Sequence, residues 1–575
     1  MGLRWATQYE KADWRHDMAA GLTVGAMLVP QAMAYALLAG LPAQVGLYAA
    51  IVPVLAYAVF GTSRHLAVGP VAIVSLLTAS ALAPIAREGT EGYIAGAAAL
   101  ALMVGVLHLV LAAGRLGFLV NFLSHSVLIG FTAAAATIIA FSQVKHLLGI
   151  SIDRQDHFFG TVREVIGHAG DANTPTLILG TACLAALVLL KRFAPRLPAS
   201  LVVVAASIGA TKMLALNERG VEVVGDVAGS LPGFAIPDVG GSVIADLFAM
   251  AVVITLVGFM ESIAIGRVYA RRHRYDLSPN GELVGLGAAN VAAGLFGGFP
   301  VTGGFSRSAV NDETGARTPL ASVISAGVVV ATLLFLTPLF ASLPNAALGA
   351  TILIAVLGLL DVQEMRHIAS VKRSDLVGLS VAYGATLLLG IELGIVVAIV
   401  ASMLVVFARM STPHAAVLGH VANTTSYRNI DRFPEALVVD GIRIVRIDAA
   451  LSFVNAVHVK NLLLSHADEI VAEPRAMVID ASGINDLDAT GAQMLAEVLV
   501  ALKERDIRVH FCGVKGPVRD VMHRAGIWGR LDDRLHPSAH DAVSAIESPS
   551  PLAIDHRRAG VDERNSDPVH ETTEE

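Results

Sequence analysis

The chain has 575 residues, 54% of them hydrophobic and 15% charged, with a mean hydropathy of +0.64. An average soluble domain carries about 25% charged residues, so this composition excludes a soluble enzyme of the same length and indicates one large membrane unit. Residues 434–575 hold 15 Lys+Arg and 24 Asp+Glu while the rest holds 26 and 24, so a low-charge body precedes an acidic, soluble-looking tail. No dense basic face is present, and a nucleic-acid partner is not expected.

Met1–Asp17 mixes both charge signs and has no apolar stretch before Ala19, so the first hydrophobic run reads as a retained insertion signal rather than a cleaved one. Spans of about 20 apolar residues follow at 18–39, 45–60, 92–112, 123–148, 174–191, 198–216, 243–267, 281–297, 318–341, 346–360, 375–390 and 391–410. Two more are short and broken: 66–84, with Gly69-Pro70 near its start, and 299–315, with Pro300 and Gly303-Gly304. Together they make fourteen. With the N-terminus inside, sixteen Lys and Arg fall on cytoplasmic segments against six outside, the positive-inside bias. The even count puts the tail in the cytoplasm.

The broken segments are the third of the first seven spans and the third of the second seven. This correspondence predicts an inverted repeat with its site at the midplane. Residues 411–433 read as a polar linker, so the transporter domain is 1–410. Residues 434–547 alternate apolar strands and amphipathic helices, a small α/β domain closing with a helix at Pro517–Ala525. Residues 548–575 read as an acidic disordered tail.

Helices that start inside a membrane present unsatisfied N–H groups and a positive dipole end. Two such ends facing each other make an anion site. Pro70 suits the first helix start, where its missing N–H costs nothing, and Ser306 offers a hydroxyl at the second. Arg307 adds a fixed positive charge, or else pairs with Glu261 or snorkels to the surface. Glu261 lies in the otherwise uncharged run Val252–Ile265. It is protonated, paired with Arg307 or bound to a cation, and each option is a route to ion coupling. Gln31 and Tyr35, one helical turn apart after Pro30, can present an amide and a phenol to one cavity. His108 and His146 read as structural. There is no phosphate-binding Gly-rich loop, paired-His metal motif or nucleophile elbow, so no enzyme activity, metal or cofactor is expected. Cys183 and Cys512 lie in different environments and read as free.

Four ordered motifs resemble the sulfate permease (SulP) anion transporter family: Pro30-Gln31-Ala32-Met33-Ala34-Tyr35, Gly61-Thr62-Ser63-Arg64-His65 leading to Val68-Gly69-Pro70, Glu261-Ser262-Ile263-Ala264, and Gly304-Phe305-Ser306-Arg307-Ser308-Ala309-Val310-Asn311. The tail, with Asp480-Ala481-Ser482 and Asp488-Ala489-Thr490-Gly491, resembles the family's STAS domain. The resemblance implies fourteen spans in two inverted repeats of seven, forming a core and a gate domain. It places the anion between the third and tenth spans, at Val71, Ala72, Phe305 and Ser306, with Gln31, Tyr35 and Arg307 alongside and Glu261 as the coupling acid. Bacterial relatives of the tail carry a phosphorylated Ser where Ala489 stands here, so that switch is not expected, and Thr490 reads as a helix cap.

The function expected is secondary active uptake of an inorganic anion, foremost sulfate by proton symport through an elevator-type movement. Sodium-coupled bicarbonate uptake, dicarboxylate transport and anion exchange are the alternatives. A nucleobase permease would place an acid where Arg307 stands, and a membrane-anchored signalling scaffold leaves the paired breaks unexplained. The expected partners are a small anion, a coupling proton or sodium ion, the lipid bilayer and a second copy of the chain. The expected location is the plasma membrane, with N-terminus and STAS domain cytoplasmic.

Overall fold

The computed structural model describes residues 4–7, 9–121, 124–152, 158–194, 198–225, 229–470, 472–473, 475–531 and 533–548. It divides into two units, Met1–Met403 and Leu404–Glu575. The acidic segment 549–575 lies outside the described residues.

The first unit is helical. Among the described residues nine helices are long and apolar enough to cross a membrane, from Lys11–Leu38 to Arg373–Ile391. Five expected spans are shorter: Ala72–Leu82, Ala199–Met213, Pro279–Leu295, Val396–Ser411 and Phe305–Glu313. At 1.5 Å per residue, the first and last of these reach only ~16 and ~13 Å, about half of a ~30 Å hydrocarbon layer.

Breaks in the other spans have local causes. The second span is two helices, Ala43–Ala49 and Val52–Phe60, joined at Ile51 just before Pro53, which has no N–H to continue the first helix. The eleventh relaxes into a π-turn at Thr332–Leu336 ahead of Pro338. The last two spans form a continuous Arg373–Ser411 stretch interrupted at Gly390, whose φ of 83° and ψ of 175° suit glycine alone.

The packing pairs repeat when the two halves are exchanged. The first span packs on the eleventh, and the eighth on the fourth. The second also packs on the eleventh, and the ninth on the fourth. Second and ninth, fifth and twelfth, and third and tenth pair with their own counterparts. The fold is therefore a seven-plus-seven inverted repeat, visible in contacts where the two half-sequences hardly resemble each other.

The second unit is an α/β domain. Its sheet runs in the order Tyr427–Asn429, Ala415–Val421, Ile442–Ile447, Ala476–Asp480, Arg508–Cys512, Leu535–His536. The first three strands are antiparallel and the others parallel. Helices Ala456–Asp468, Ala489–Glu504 and Gly516–Arg524 cover one face. Helix Ala539–Glu547 covers the other with Ala542, Val543 and Ile546.

Three expectations are corrected here. Residues 411–433 are not merely a linker: Ala415–Val421 pairs with Ile442–Ile447 and buries Ala416 and Leu418 against Ile442 and Ile444. The polar loop after it masks this apolar stretch in composition. The domain does not close at Pro517–Ala525, since a further strand and helix follow. The cap of the Ala489–Glu504 helix is Asp488, whose Oδ1 accepts the Gly491 N–H at 2.7 Å, and Thr490 sits exposed inside the first turn.

Candidate functional site

Two extended segments interrupt the membrane unit, and they meet. Val68-Gly69 pairs antiparallel with Thr302-Gly303. An extended residue immediately precedes each helix that follows: Val71 (φ −137°, ψ 153°), after Pro70, before Ala72–Leu82, and Gly304 (φ −100°, ψ 124°) before Phe305–Glu313. Neither helix start is capped by a side chain. In hydrocarbon such N–H groups need a partner, and both starts emerge from the same two-stranded bridge.

Side chains lock the bridge. Gly304 N–H donates to the Ala67 carbonyl at 3.0 Å, and Ala67 N–H to Ser308 Oγ at 2.9 Å. Asn311 Nδ2 donates to the His65 carbonyl at 3.1 Å. The second lead-in is held by Asn290, which accepts from Val301 N–H and donates to the Val301 carbonyl, both at 2.9 Å. A relay continues it: Gly303 N–H to Ser262 Oγ at 2.9 Å, Ser262 to Thr302 Oγ1, and Thr302 to the Gly258 carbonyl at 2.7 Å. These bonds tie the helix carrying Glu261, Gly241–Arg272, to the second break.

Arg307 connects the halves. It is 2% exposed, and its Nη1 donates to the Pro70 carbonyl at 2.7 Å. Its Nε and Nη2 are buried without a hydrogen-bond partner. The guanidinium folds back over its own helix start because residue 304 is glycine: a Cβ there would lie 2.8 Å from Nη2 and 2.9 Å from Cζ. The pairing with Glu261 entertained from sequence is not formed, for no ion pair joins them among the described residues. Glu261 is half-buried and its Oε2 is buried and unpartnered. Tyr35 and Glu261 are the titratable groups that interact electrostatically with the guanidinium.

Gln31 and Tyr35 are 6% and 7% exposed on helix Trp14–Leu38, which packs against both short helices. Val71 and Ala72 are buried, whereas Phe305 and Ser306 are exposed. The structure thus brings Tyr35, Glu261, Arg307 and the two helix starts into one neighbourhood, open beside Phe305 and Ser306.

Sequence reasoning missed the acid that shapes the first lead-in. Glu282 is fully buried and accepts from Thr62 N–H at 2.8 Å, Ser63 N–H at 3.0 Å, Tyr57 OH at 2.6 Å and Thr62 Oγ1. It sits in the first turn of Pro279–Leu295, where the helix dipole favours a carboxylate. Its signal was an acid three residues after Pro279 at the edge of an apolar run, a place that composition assigns to solvent. Asp17 was missed in the same way. It is fully buried and accepts from Arg317 N–H, Thr318 N–H and Thr318 Oγ1. His108 is structural, its Nε2 meeting the Thr255 carbonyl at 3.1 Å.

Residues 14–383 match the model of the sulfate permease family, and residues 433–542 that of the STAS domain. The chain belongs to the sulfate permease family. It is 38% identical to the chloroplastic sulfate transporter 4.1 of Arabidopsis thaliana over 90% of this chain and 78% of that one. It is 35% identical to a probable sulfate transporter of Mycobacterium tuberculosis over 94% and 96%. Among solved structures it is similar to the murine Solute Carrier 26 family member A9 anion transporter in its inward-facing state, with a TM-score of 0.88, 24% identity and coverage of 95% and 93%. The transmembrane domain of a cyanobacterium bicarbonate transporter matches with a TM-score of 0.59, 22% identity and coverage of 68% and 98%. These two likenesses establish the polytopic helical fold of the membrane domain, and the family models identify it as a sulfate permease domain followed by a STAS domain.

Proposed function

We propose that this sulfate permease family member takes up sulfate by proton symport through elevator-type alternating access. The observation that carries the reading is the pair of uncapped helix starts joined by the Val68–Gly303 bridge, with the unpartnered Nε and Nη2 of Arg307 beside them. Backbone N–H groups, two dipole ends and a fork of charged donors suit a small dianion. Relatives named sulfate transporters at 35% and 38% identity support that substrate. The bound anion lies between Val71-Ala72 and Phe305-Ser306, with Gln31 and Tyr35 completing the cavity.

Moving two negative charges inward against an inside-negative potential costs about 2.3 kcal/mol per charge per 100 mV. Co-transported protons offset this cost, and Glu261, with its unpartnered Oε2, is the carrier. The bonds that lock the two breaks together favour movement of the site as one body. The transporter works in the plasma membrane as a homodimer, with the N-terminus and STAS domain in the cytoplasm.

The test is uptake of labelled sulfate, bicarbonate and succinate into proteoliposomes under separate proton and sodium gradients. Accumulation of sulfate driven by an inward proton gradient is the expected result. Sodium-driven bicarbonate accumulation without sulfate transport would overturn both substrate and coupling assignments, and no uptake of any anion would leave a scaffold.

A further inference from the structure

Away from the helix starts, at the other ends of the elements that form the bridge, three ligand-bearing side chains converge. His65 lies in the lead-in to the first break, His273 caps the C-terminus of Gly241–Arg272, and Asp312 ends the Phe305–Glu313 helix. One ring nitrogen from each histidine and one carboxylate oxygen of Asp312 all lie within 4.8 Å of one another. His273 Nε2 is 2.5 Å and His65 Nε2 3.9 Å from Asp312 Oδ1, and the two imidazoles stack at 4.2 Å with 13° between their planes.

We propose that His65, His273 and Asp312 form a binding site for a zinc-class divalent transition-metal ion. Two imidazoles and one carboxylate with an open fourth position are a recurrent ligand set for such ions, whereas calcium and magnesium take oxygen ligands. A tetrahedral site with bonds of ~2.0–2.1 Å separates its ligand atoms by about 3.4 Å. Reaching it requires His273 to withdraw from Asp312 Oδ1 by ~0.9 Å, His65 to approach it by ~0.5 Å, and the stacked imidazoles to rotate apart so that both ring-nitrogen lone pairs point at the ion. The His273 side chain is 41% exposed, which gives the ion a way in.

The surroundings supply the outer contacts that metal ligands need. Tyr275 OH meets His65 Nδ1 at 3.4 Å, leaving Nε2 for the ion. Arg272 Nη1 donates to Asp312 Oδ2 at 2.6 Å, leaving Oδ1. Arg272 and Arg64 put positive charge nearby. That charge disfavours ions held by electrostatics alone and favours those bound strongly by imidazole nitrogen. A bound ion would pin together the ends of the elements that carry Glu261 and Arg307.

The experiment uses the full chain, purified through a histidine-free tag, with cobalt as the probe. Cobalt in a site of two imidazoles and a carboxylate gives a visible absorption band, and zinc should displace it. We expect one such ion per chain, bound at least about tenfold more weakly in His273→Ala and Asp312→Asn, since even the loss of an outer-shell partner costs 10–100-fold. Zinc should also raise the thermal midpoint of the wild type more than that of either variant. Metal-free unfolding of His273→Ala checks that this half-exposed position leaves the fold intact. Equal cobalt affinity, absorbance and zinc-induced stabilisation in wild type and His273→Ala would overturn the proposal.

Discussion

Replacing Arg307 by Ala measures how much of anion binding rests on the guanidinium rather than on the helix starts. The side chain is 2% exposed, commits Nη1 to the Pro70 carbonyl and leaves Nε and Nη2 without partners. If sulfate takes two of the remaining N–H donors, at ~1.5 kcal/mol for each charge-assisted bond, the loss is ~3 kcal/mol. That is a weakening of roughly 150-fold, and a single lost bond sets the floor at about tenfold. Arg307→Lys should recover part of the affinity, because it keeps the charge and loses the fork. Gly304→Ala is the companion variant. It leaves Arg307 in place, but its Cβ would sit 2.8 Å from Nη2 and force the guanidinium off the helix start. Its affinity should fall between wild type and Arg307→Ala. The assay is isothermal titration of sulfate into the purified protein, backed by proteoliposome uptake. Wild-type affinity and uptake in Arg307→Ala would refute the reasoning and leave the two helix starts as the whole anion site.

Glu261→Gln should abolish proton-driven accumulation while sparing sulfate exchange, because the amide cannot carry a proton across; gradient-driven uptake at the wild-type rate would remove Glu261 from coupling. Glu282→Gln turns an acceptor into a donor facing Thr62, Ser63 and Tyr57, and each orphaned buried donor costs about 1–3 kcal/mol. Its thermal midpoint in detergent should therefore drop, and an unchanged one would sink the clasp assigned to this acid. A fragment of residues 412–548 should be soluble and give a cooperative unfolding transition, whereas 434–548 should not, since it loses the strand that covers Ile442 and Ile444; equal stability of the two fragments would contradict this. In the same domain, burial and neighbouring His536 push His510 down to about 4 from its ordinary value near 6.5. Its contribution to stability is present above pH ~6.5 and is lost as pH falls toward 4, because only the unfolded chain then takes up the proton. Acid titration of the 412–548 fragment should show this slope, and His510→Asn should flatten it; identical pH profiles would exclude the histidine as the cause.

Hydropathy alone determined that this chain is a membrane body with an acidic α/β tail, and it located both breaks. A bilayer asks for about 20 apolar residues per crossing, and Gly69-Pro70 and Gly303-Gly304 interrupt that pattern in matching places. Glu261 and Arg307 stood out for the same reason, as charges in runs where charge is costly. The tertiary structure decided what those charges meet. Arg307 reaches the Pro70 carbonyl, 237 residues away in sequence, rather than Glu261. It also decided the roles of Glu282 and Asp17, which look like ordinary polar residues until distant loops bring them donors, and of Asn290, which clasps Val301 on the lead-in that follows its own helix. The short strand at Ala415–Val421 was hidden beside a polar loop until its partner supplied the ladder. His65, His273 and Asp312 converge only because the two repeats fold back on each other. Periodicity and composition record how each segment meets lipid or water. Hydrogen bonds between segments hundreds of residues apart depend on side-chain direction and chain crossing, which local sequence does not encode.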